Sequence, residues 1–555
     1  MGREKIKPKL FSVMKTYSKE QFVKDVVAGI IVAIIALPLS IALALASGVG
    51  PEQGIYTAIV AGFLISFLGG SRVQIAGPTA AFATIVAGIV ARSGMDGLIV
   101  ATIIAGILLV IMGLCRAGSL IKFIPYTITT GFTAGIAVTI VIGQLKDFAG
   151  ITYPEGLKPI ETLDKVRAFV SNISTISGWA VFVGIVSLAV LIIWPMIPRI
   201  GSKIPGSLIA VFVGIFLVKV FKLRVNTIGD LYTISNSLPK FHFPEISLGI
   251  IRAELSDGFT IAVLAAIESL LSCVVADGMI NSKHRSNMEL IAQGVGNIGS
   301  ALFGGIPATG AIARTAANIK NGGRTPIAGI VHSITLVLVL VVLMPYAGLI
   351  PMPTIAAILF IVAYNMCGWR TFVSLCKRAP KSDILVLVAT FVLTVVFDLV
   401  VEIEIGMIAA VILFMKRMSD QAKVEGWKYY EDEDADEEHI ELRSVPQPVR
   451  VYEINGPMFF GATDRIAEIS LKDFTKCLII RMRGVPALDI TALNSIEKLF
   501  DECRKKNVTM ILSHVNEQPL SVMEHSGFAE KVGSENFVPH IDAAIARAKE
   551  IIEKE

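Results

Sequence analysis

Two short segments of the chain combine residue types that can bind an anion. One is GGIPATGAIARTAANIKNGG, from Gly304 to Gly323, and the other is GGSRVQIAGPTAAFATIVAGI, which begins at Gly69. Each contains a Gly-Gly pair, an extended stretch with β-branched residues, a break at glycine, and a short helix rich in Ala and Thr. A helix that begins inside a protein presents unpaired N–H groups and the positive end of its dipole. We therefore expect two half-helices whose N-termini share an anion site. Small residues also permit close helix packing, but the occurrence of two matching motifs favours the anion site.

Glu268 is an ionisable residue in the apolar segment AAIESLLSCVVADGM. It lies about ten residues from both Asp257 and Asp277, which places it near the middle of a membrane-spanning helix. A carboxyl group at that depth is expensive and indicates a functional site. We expect a proton or sodium coupling site, with Ser269 and Ser272 as further ligands. The alternative is a structural carboxyl group paired with the backbone or with a hydroxyl.

Arg314 is the second ionisable residue in such surroundings, one helical turn after the break at Gly310. Two roles fit this position. The guanidinium either raises the positive field at the anion site or pairs with Glu268.

The composition places these residues in a membrane protein. Of 555 residues, 54% are hydrophobic and 17% are charged, whereas soluble chains carry about 25% charged residues. The net charge of +4 is small, and the basic residues occur in short loops, so nucleic-acid binding is excluded. The six cysteines are scattered without a CxxC pair, so we expect neither disulfides nor a structural metal site.

Apolar segments recur from Val26 to Met415, and about 20 residues are needed to cross a bilayer. The predicted spans are 26–46, 54–68, 77–91, 98–113, 121–145, 179–196, 205–221, 259–276, 288–303, 311–319, 327–345, 353–366, 383–397 and 403–415. The two motifs fall at the third and tenth of these fourteen spans. Because seven is odd, the second group of seven begins on the opposite side of the membrane, which predicts an inverted repeat.

The loop charges predict the orientation. Alternate short loops carry Lys and Arg, and the opposite loops are acidic or poor in basic residues. The positive-inside rule then places both termini in the cytoplasm. We expect the protein to lie in the inner membrane of the cell.

The sequence divides into four regions. Residues 1–25 form a lysine-rich N-terminal segment, 26–417 the membrane domain, 418–445 a linker containing the acidic run EDEDADEE, and 446–555 a small domain. In this last region, strand-like runs such as VRVYEI and CLIIRM alternate with amphipathic helical runs, which predicts a soluble cytoplasmic α/β domain. It lacks a phosphate loop, a nucleophile elbow and a His/Cys cluster, so we expect a regulatory or dimer-contact module and no enzyme.

Several motifs together resemble one known family. GGIPATGAIARTAANIKNGGRTPIAG, AGPTAAF, ALPLSIALALASGVGPEQGIY and AIESLL are similar to signatures of the SulP anion transporters, relatives of the animal sulfate and chloride carriers and of prestin. The C-terminal region resembles a STAS domain. The resemblance covers nearly the whole chain.

The resemblance implies a fold and a site. Spans one to four and eight to eleven would form a core domain that moves like an elevator against a gate domain, in a homodimer. The anion would lie near Ala80, Ala81 and Phe82 on the third span and near Ile312, Ala313 and Arg314 on the tenth, with Thr309 and Gly310 at the preceding break. Thr309 also joins Glu268, Ser269 and Ser272 as a ligand for the coupling ion.

The STAS-like domain carries one further candidate residue. Related proteins have a phosphorylatable serine at a helix start, and here the matching motif reads ALDITAL, with Thr491 in that place. Thr491 is either a regulatory phosphosite or a cap of the helix.

The sequence therefore predicts a secondary active transporter of a small anion, such as sulfate, bicarbonate or a C4-dicarboxylate, coupled to H⁺ or Na⁺ and needing no other cofactor. An uncoupled anion channel or an anion exchanger is the alternative. The sequence leaves open which anion is carried, because helix dipoles recognise charge more than identity.

Overall fold

The structure is a computed structural model. It describes residues 6–119, 126–154, 157, 159, 161–197, 205–244, 247–396, 412, 415, 416, 418, 423–426, 445–459, 463–466, 469–472 and 474–554. The chain forms two compact units, Met1–Met407 and Ile408–Glu555. The predicted fourteenth span, 403–415, and the acidic linker lie almost wholly outside the described residues.

The first unit is helical. Its helices are α1 (Lys9–Val13), α2 (Lys19–Ala46), α3 (Pro51–Leu68), α4 (Ala83–Leu114), α5 (Tyr126–Ala149), α6 (Thr162–Ser171), α7 (Gly178–Ile193), α8 (Gly206–Val220), α9 (Ile228–Leu231), α10 (Leu248–Ile280), α11 (Ser286–Leu302), α12 (Ile312–Lys320), α13 (Ile327–Ala347), α14 (Met352–Cys367), α15 (Trp369–Arg378) and α16 (Lys381–Val396). Two strands of two residues, β1 (Ala76–Gly77) and β2 (Thr309–Gly310), complete the unit.

Long apolar helices confirm the membrane prediction. Within the described residues, eight helical segments are long and apolar enough to cross a bilayer unaided. Within the described residues, each of the first thirteen predicted spans overlaps a helix or one arm of a helix. The third and fourth spans are the two arms of α4, divided at Gly94, whose φ of 67° and ψ of −165° interrupt the helix. Such a conformation is essentially restricted to glycine.

Glycine allows the helices around the site to pack closely. A Cβ at Gly106 of α4 would lie 2.5 Å from the side chain of Ile298 in α11, and a Cβ at Gly294 of α11 would lie 2.4 Å from the carbonyl oxygen of Gly106. In a membrane, where lipid is as apolar as the helix surface, this close backbone approach stabilises helix association. α4 therefore packs directly on α11.

The second unit is an α/β domain. Its sheet has the order β3-β4-β5-β6-β7, with strands β3 (Lys423–Gly426), β4 (Val449–Asn455), β5 (Cys477–Gly484), β6 (Thr509–Ser513) and β7 (Phe537–Val538). The strands from β4 to β7 are parallel and β3 is antiparallel to β4. The helices are α17 (Thr463–Ile466), α18 (Ile490–Lys505), α19 (Glu517–His525), α20 (Phe528–Val532) and α21 (Ile541–Lys554). This layered arrangement is the one predicted from the alternating pattern.

Candidate functional site

The two interrupted motifs meet in the first unit. Strands β1 and β2 pair antiparallel, with Ala76 opposite Gly310 and Gly77 opposite Thr309. The N–H of Ala311 extends the pairing by donating to the carbonyl of Ile75 at 2.9 Å. An antiparallel pair is what two segments related by an inverted repeat produce when they face each other.

A short helix follows each strand. On one side, a 3₁₀ turn at Ala80–Phe82 leads into α4, and on the other side α12 begins at Ile312. Neither start has a side-chain cap, whereas Ser18, Ser177 and Ser247 cap α2, α7 and α10. In the turn before α4, the Phe82 N–H donates to the Thr79 carbonyl at 3.4 Å and the Ala83 N–H to the Ala80 carbonyl. No side chain caps the N–H groups ahead of them or those at the start of α12, and the positive dipole ends lie beside the strand pair.

The predicted anion-site residues differ in accessibility. Ala80, Ala81 and Phe82 are buried, with their backbone as well as their side chains inside the protein. Ile312 is 40% exposed, and Ala313 is also exposed. The start of α12 is therefore more exposed than the start of the third-span helix.

Glu268 of α10 contacts the start of the third span. Its Oε2 atom accepts a hydrogen bond from the Thr79 hydroxyl at 3.0 Å. Thr79 is the residue directly before the 3₁₀ turn. Among the described residues, Glu268 forms no salt bridge, so its carboxyl group has only a neutral hydrogen-bond donor there.

Ser269 connects α10 to the other motif. Its Oγ lies 2.6 Å from the Thr309 Oγ1 and accepts from the Gly310 N–H at 3.1 Å. Thr309 also donates to the carbonyl of Ala265 at 3.4 Å. Consecutive residues of α10 therefore touch both half-helix motifs, Glu268 the third span and Ser269 the tenth.

Ser272 lies one helical turn further along α10. Its hydroxyl donates to the Thr315 Oγ1 at 3.5 Å, and Thr315 in turn accepts from the Ile75 N–H. The structure places Ser272 beside α12, and its role as a ligand for the coupling ion stays a prediction.

The Arg314 side chain is buried against Gly77 and Pro78, at the end of β1. Its side chain is 3% exposed, and its Nη2 donates to the Ser40 hydroxyl and to the Pro78 carbonyl, each at 3.3 Å. Its Nη1 lies against Gly77. In the described structure Arg314 and Glu268 form no ion pair, and the guanidinium is held by neutral groups next to the third-span backbone.

Side chains distant in sequence satisfy the extended backbone. Asn297 binds the N–H and the carbonyl of Ala308 at 2.8 and 2.9 Å. Thr57 accepts from the Ile306 N–H at 2.7 Å, and Asn318 donates to the Val73 carbonyl at 2.8 Å. Non-helical backbone at membrane depth is tolerated only where such partners replace the missing helical bonds.

Sequence reasoning missed Thr79, Asn297 and Thr57. The sequence could have indicated Thr79, because it is the polar residue directly before the predicted half-helix. It could not have indicated Asn297 and Thr57, because their partners are known only from the fold.

In the second unit, the candidate Thr491 lies in the first turn of α18 and is exposed. The cap of this helix is Asp489, whose carboxylate accepts from the Ala492 N–H at 2.8 Å. The capping role considered for Thr491 is thus filled by Asp489, because the carboxylate is at the position that reaches the third N–H of the helix. The phosphosite stays a prediction.

Comparison with known proteins identifies the family. The model of the sulfate permease family matches residues 22–390, and that of the STAS domain matches residues 440–544. The chain is 38% identical to YvdB of Bacillus subtilis, provisionally named a sulfate transporter, over 95% of this chain and 98% of the relative. It is 31% identical to the bicarbonate transporter BicA of Picosynechococcus, over 87% of each chain.

A solved structure shows the same fold. The murine anion transporter Slc26a9 has a TM-score of 0.87 and covers 98% of this chain and 94% of its own, at 18% identity. The relatives are named as transporters, which confirms that this chain is not an enzyme. This chain is a multi-pass membrane protein of the sulfate permease family, with a STAS domain in its C-terminal part.

Proposed function

We propose that this protein is a secondary active transporter that moves a small oxyanion, sulfate or bicarbonate, together with H⁺ or Na⁺. The names of its relatives support this choice of substrate class. The observation that carries the proposal is the hydrogen bond between Glu268 and Thr79, because it connects an ionisable group to the start of an uncapped half-helix.

The anion part of the proposal rests on the two half-helix starts. Each supplies unpaired N–H groups and about half a positive charge. The small side chains of Ala311 and Ala313 leave the backbone at the start of α12 open to a ligand, whereas Ala80 and Ala81 are buried. Arg314 adds a full positive charge behind the strand pair, with neutral hydrogen-bond partners.

The coupling part follows from the charge of Glu268. An ionised carboxylate beside a bound anion would repel it, by about 4 kcal/mol at a separation of about 4 Å and less at longer range, at an effective dielectric constant of ~20. A proton on Glu268, or a sodium ion held by Glu268, Ser269, Thr309 and the Ala265 carbonyl, removes this repulsion. Anion and cation therefore bind more tightly together than alone, which is the requirement for symport.

The movement, assembly and orientation belong to the same proposal. α4, α10 and α12 carry the site, and all three fall in the spans assigned to the core, so we infer that the core carries the anion across as a unit while the gate stays in place. We also infer a homodimer in the cell membrane, with both termini and the STAS domain in the cytoplasm, since the basic loops lie on one predicted side.

The test is uptake of radiolabelled sulfate or bicarbonate into proteoliposomes, with a proton gradient, a sodium gradient or neither. The wild-type protein should accumulate anion under one of the gradients. Glu268→Gln should keep anion binding and lose the dependence on that gradient. Glu52→Gln, which removes a carboxylate at the first turn of α3, is the matched control and should behave as wild type.

Three outcomes contradict the proposal. Gradient-driven accumulation by Glu268→Gln equal to that of wild type would reject the coupling role. Large anion currents without gradient dependence would indicate a channel. Uptake that requires an anion inside the vesicle, and no cation, would indicate an exchanger.

A further inference from the structure

A cavity of about 920 Å³ lies at the end of α8, and the proposed mechanism does not use it. The residues that line it lie within 218–234 and 345–349 and include Lys219 and Lys222. α8 is the seventh predicted span. In a chain whose N-terminus is cytoplasmic, an odd-numbered span ends on the outer side of the membrane. The cavity is therefore predicted to face the outside of the cell.

Backbone hydrogen bonds hold the walls of this cavity together. The Ile228 N–H donates to the Ile350 carbonyl at 2.9 Å, and the Gly229 N–H donates to the Gly348 carbonyl at 3.0 Å. These bonds join the segment that follows α8 to the connection between α13 and α14. The cavity is thus formed before any ligand binds, as small-molecule sites usually are.

The charge around the cavity is mainly positive. Segment 219–234 contains three basic residues, Lys219, Lys222 and Arg224, and one acidic residue, Asp230. The Oδ2 atom of Asp230 accepts from the N–H and the hydroxyl of Thr227 at 2.8 and 2.7 Å, so this carboxylate is already engaged. Lys219 and Lys222 are exposed, and neither forms a salt bridge with another described residue. Their ammonium groups are therefore available to an anion.

The backbone of Lys222 adopts a conformation that glycine normally supplies at the end of a helix. Its φ is 48°, and the Leu223 N–H closes the turn by donating to the Val218 carbonyl at 3.1 Å. A residue with a side chain is strained in this left-handed region. Lysine is thus less favourable than glycine for the fold at this position, which indicates a role for its side chain.

We propose that this cavity binds a small oxyanion, such as sulfate, through Lys219 and Lys222, and that it thereby raises the concentration of the transported anion at the outer face. A cleft lined by positive charge focuses their field and concentrates anions beside it. The uptake part of this inference rests on the proposed function. The phosphate of an anionic lipid has the same chemistry as free sulfate, so the experiments separate these two sources.

Lysine acetylation measures binding independently of transport. Sulfosuccinimidyl acetate modifies free lysine amines, and a bound oxyanion shields them. In the purified full-length protein, at an ionic strength kept constant with sodium chloride, sulfate at about twice its Kd should slow acetylation of Lys219 and Lys222 about three-fold by mass action. Lys240 is exposed and lies outside the cavity lining, so it is the internal control. Equal slowing at Lys240, or no slowing at the two cavity lysines, would overturn the site.

Two further arms identify the ligand and its contacts. Lys222→Gly removes one ammonium group and relieves the backbone strain, so the protein should fold and sulfate should protect Lys219 more weakly. Protection of Lys219 equal to that in the wild type would exclude Lys222 from the site. Phosphatidylglycerol nanodiscs without sulfate should leave both lysines reactive. Protection by this lipid alone would assign the cavity to a headgroup and overturn the binding of free oxyanion.

Uptake by cells that lack other sulfate transport measures the recruiting role. Lys219→Gln combined with Lys222→Gly should raise the KM for sulfate about three- to ten-fold at low ionic strength, with an unchanged maximal rate, and the difference should shrink as salt screens the charges. Lys240→Gln is the matched control and should keep the wild-type KM. An unchanged KM in the double variant would overturn recruitment. Absence of uptake by the wild type would instead refute the proposed function, and acetylation would still decide whether the cavity binds sulfate.

Discussion

Replacing Gly77 by alanine adds a single methyl group and should displace the positively charged guanidinium of Arg314, which lies next to the proposed anion site. A Cβ at Gly77 would lie 2.3 Å from the Arg314 Nη1, while ordinary van der Waals contact begins at 3.4 Å. Gly77 is not among the glycines with positive φ, so alanine fits the backbone itself. In Gly77→Ala, the guanidinium therefore has to move by about 1 Å, because the backbone on the other side is held by the strand pair.

The size of the effect follows from the contacts of Arg314. Its hydrogen bonds to Ser40 and to the Pro78 carbonyl are both 3.3 Å long, which is already beyond the usual range. A shift of about 1 Å breaks at least one of them. A hydrogen bond to a charged group contributes about 1.5–3 kcal/mol, and if half of this is expressed as lost anion affinity, sulfate binding weakens by roughly 3- to 12-fold.

The assay is sulfate titration of the purified full-length protein by calorimetry, with unfolding temperature measured in parallel. Gly88→Ala is the matched control, since a Cβ at Gly88 of α4 meets nothing within 4 Å. It should bind sulfate as wild type does. In the Arg314→Gln background, Gly77→Ala should have little further effect.

Two results would refute the reasoning. Gly77→Ala with wild-type sulfate affinity would mean that Arg314 does not act on the anion from this position. An equal loss of affinity with and without Arg314 would mean that the alanine disturbs the strand pair itself.

Three further predictions concern stability and reactivity. Glu289→Gln should lower the free energy of unfolding by about 1.5–3 kcal/mol. The reason is that the buried Glu289 Oε2 accepts from the Gly70 and Ser71 N–H groups at 2.8 and 3.0 Å. Thermal unfolding measures the change, and an unchanged unfolding midpoint would contradict this prediction. Gly94→Ala should lower the free energy of unfolding by about 1–3 kcal/mol, because alanine disfavours the positive φ of this position. The reference is Gly88→Ala. Equal thermal unfolding midpoints for the two variants would show that the kink tolerates a side chain. Burial raises the pKa of the Cys503 thiol to about 12, so the nucleophilic thiolate is scarce at pH 8. Iodoacetamide should therefore modify Cys503 only after denaturation. Rapid modification of the folded protein would show that the thiol is accessible.

The sequence by itself predicted the first thirteen membrane spans and the two half-helices, and the fourteenth span stays a prediction. Lipid offers no hydrogen bonds to the backbone, so each span must be a continuous apolar helix, and that requirement is visible in the residue types. The same requirement makes an interruption such as GGIPATG conspicuous. Local patterns also predicted the α/β character of the second unit, where strand and helix periods alternate.

Only the tertiary structure decided which groups touch. Arg314 and Glu268 could have paired on sequence grounds, but their partners come from α2 and from the third span, at separations of 274 and 189 residues. The hydrogen bond between Thr57 and the Ile306 N–H spans 249 residues and follows from the same long-range packing. The residue type determines which interactions a side chain can form. The packing of distant segments against each other determines which partners it meets, and at what distance and in what direction.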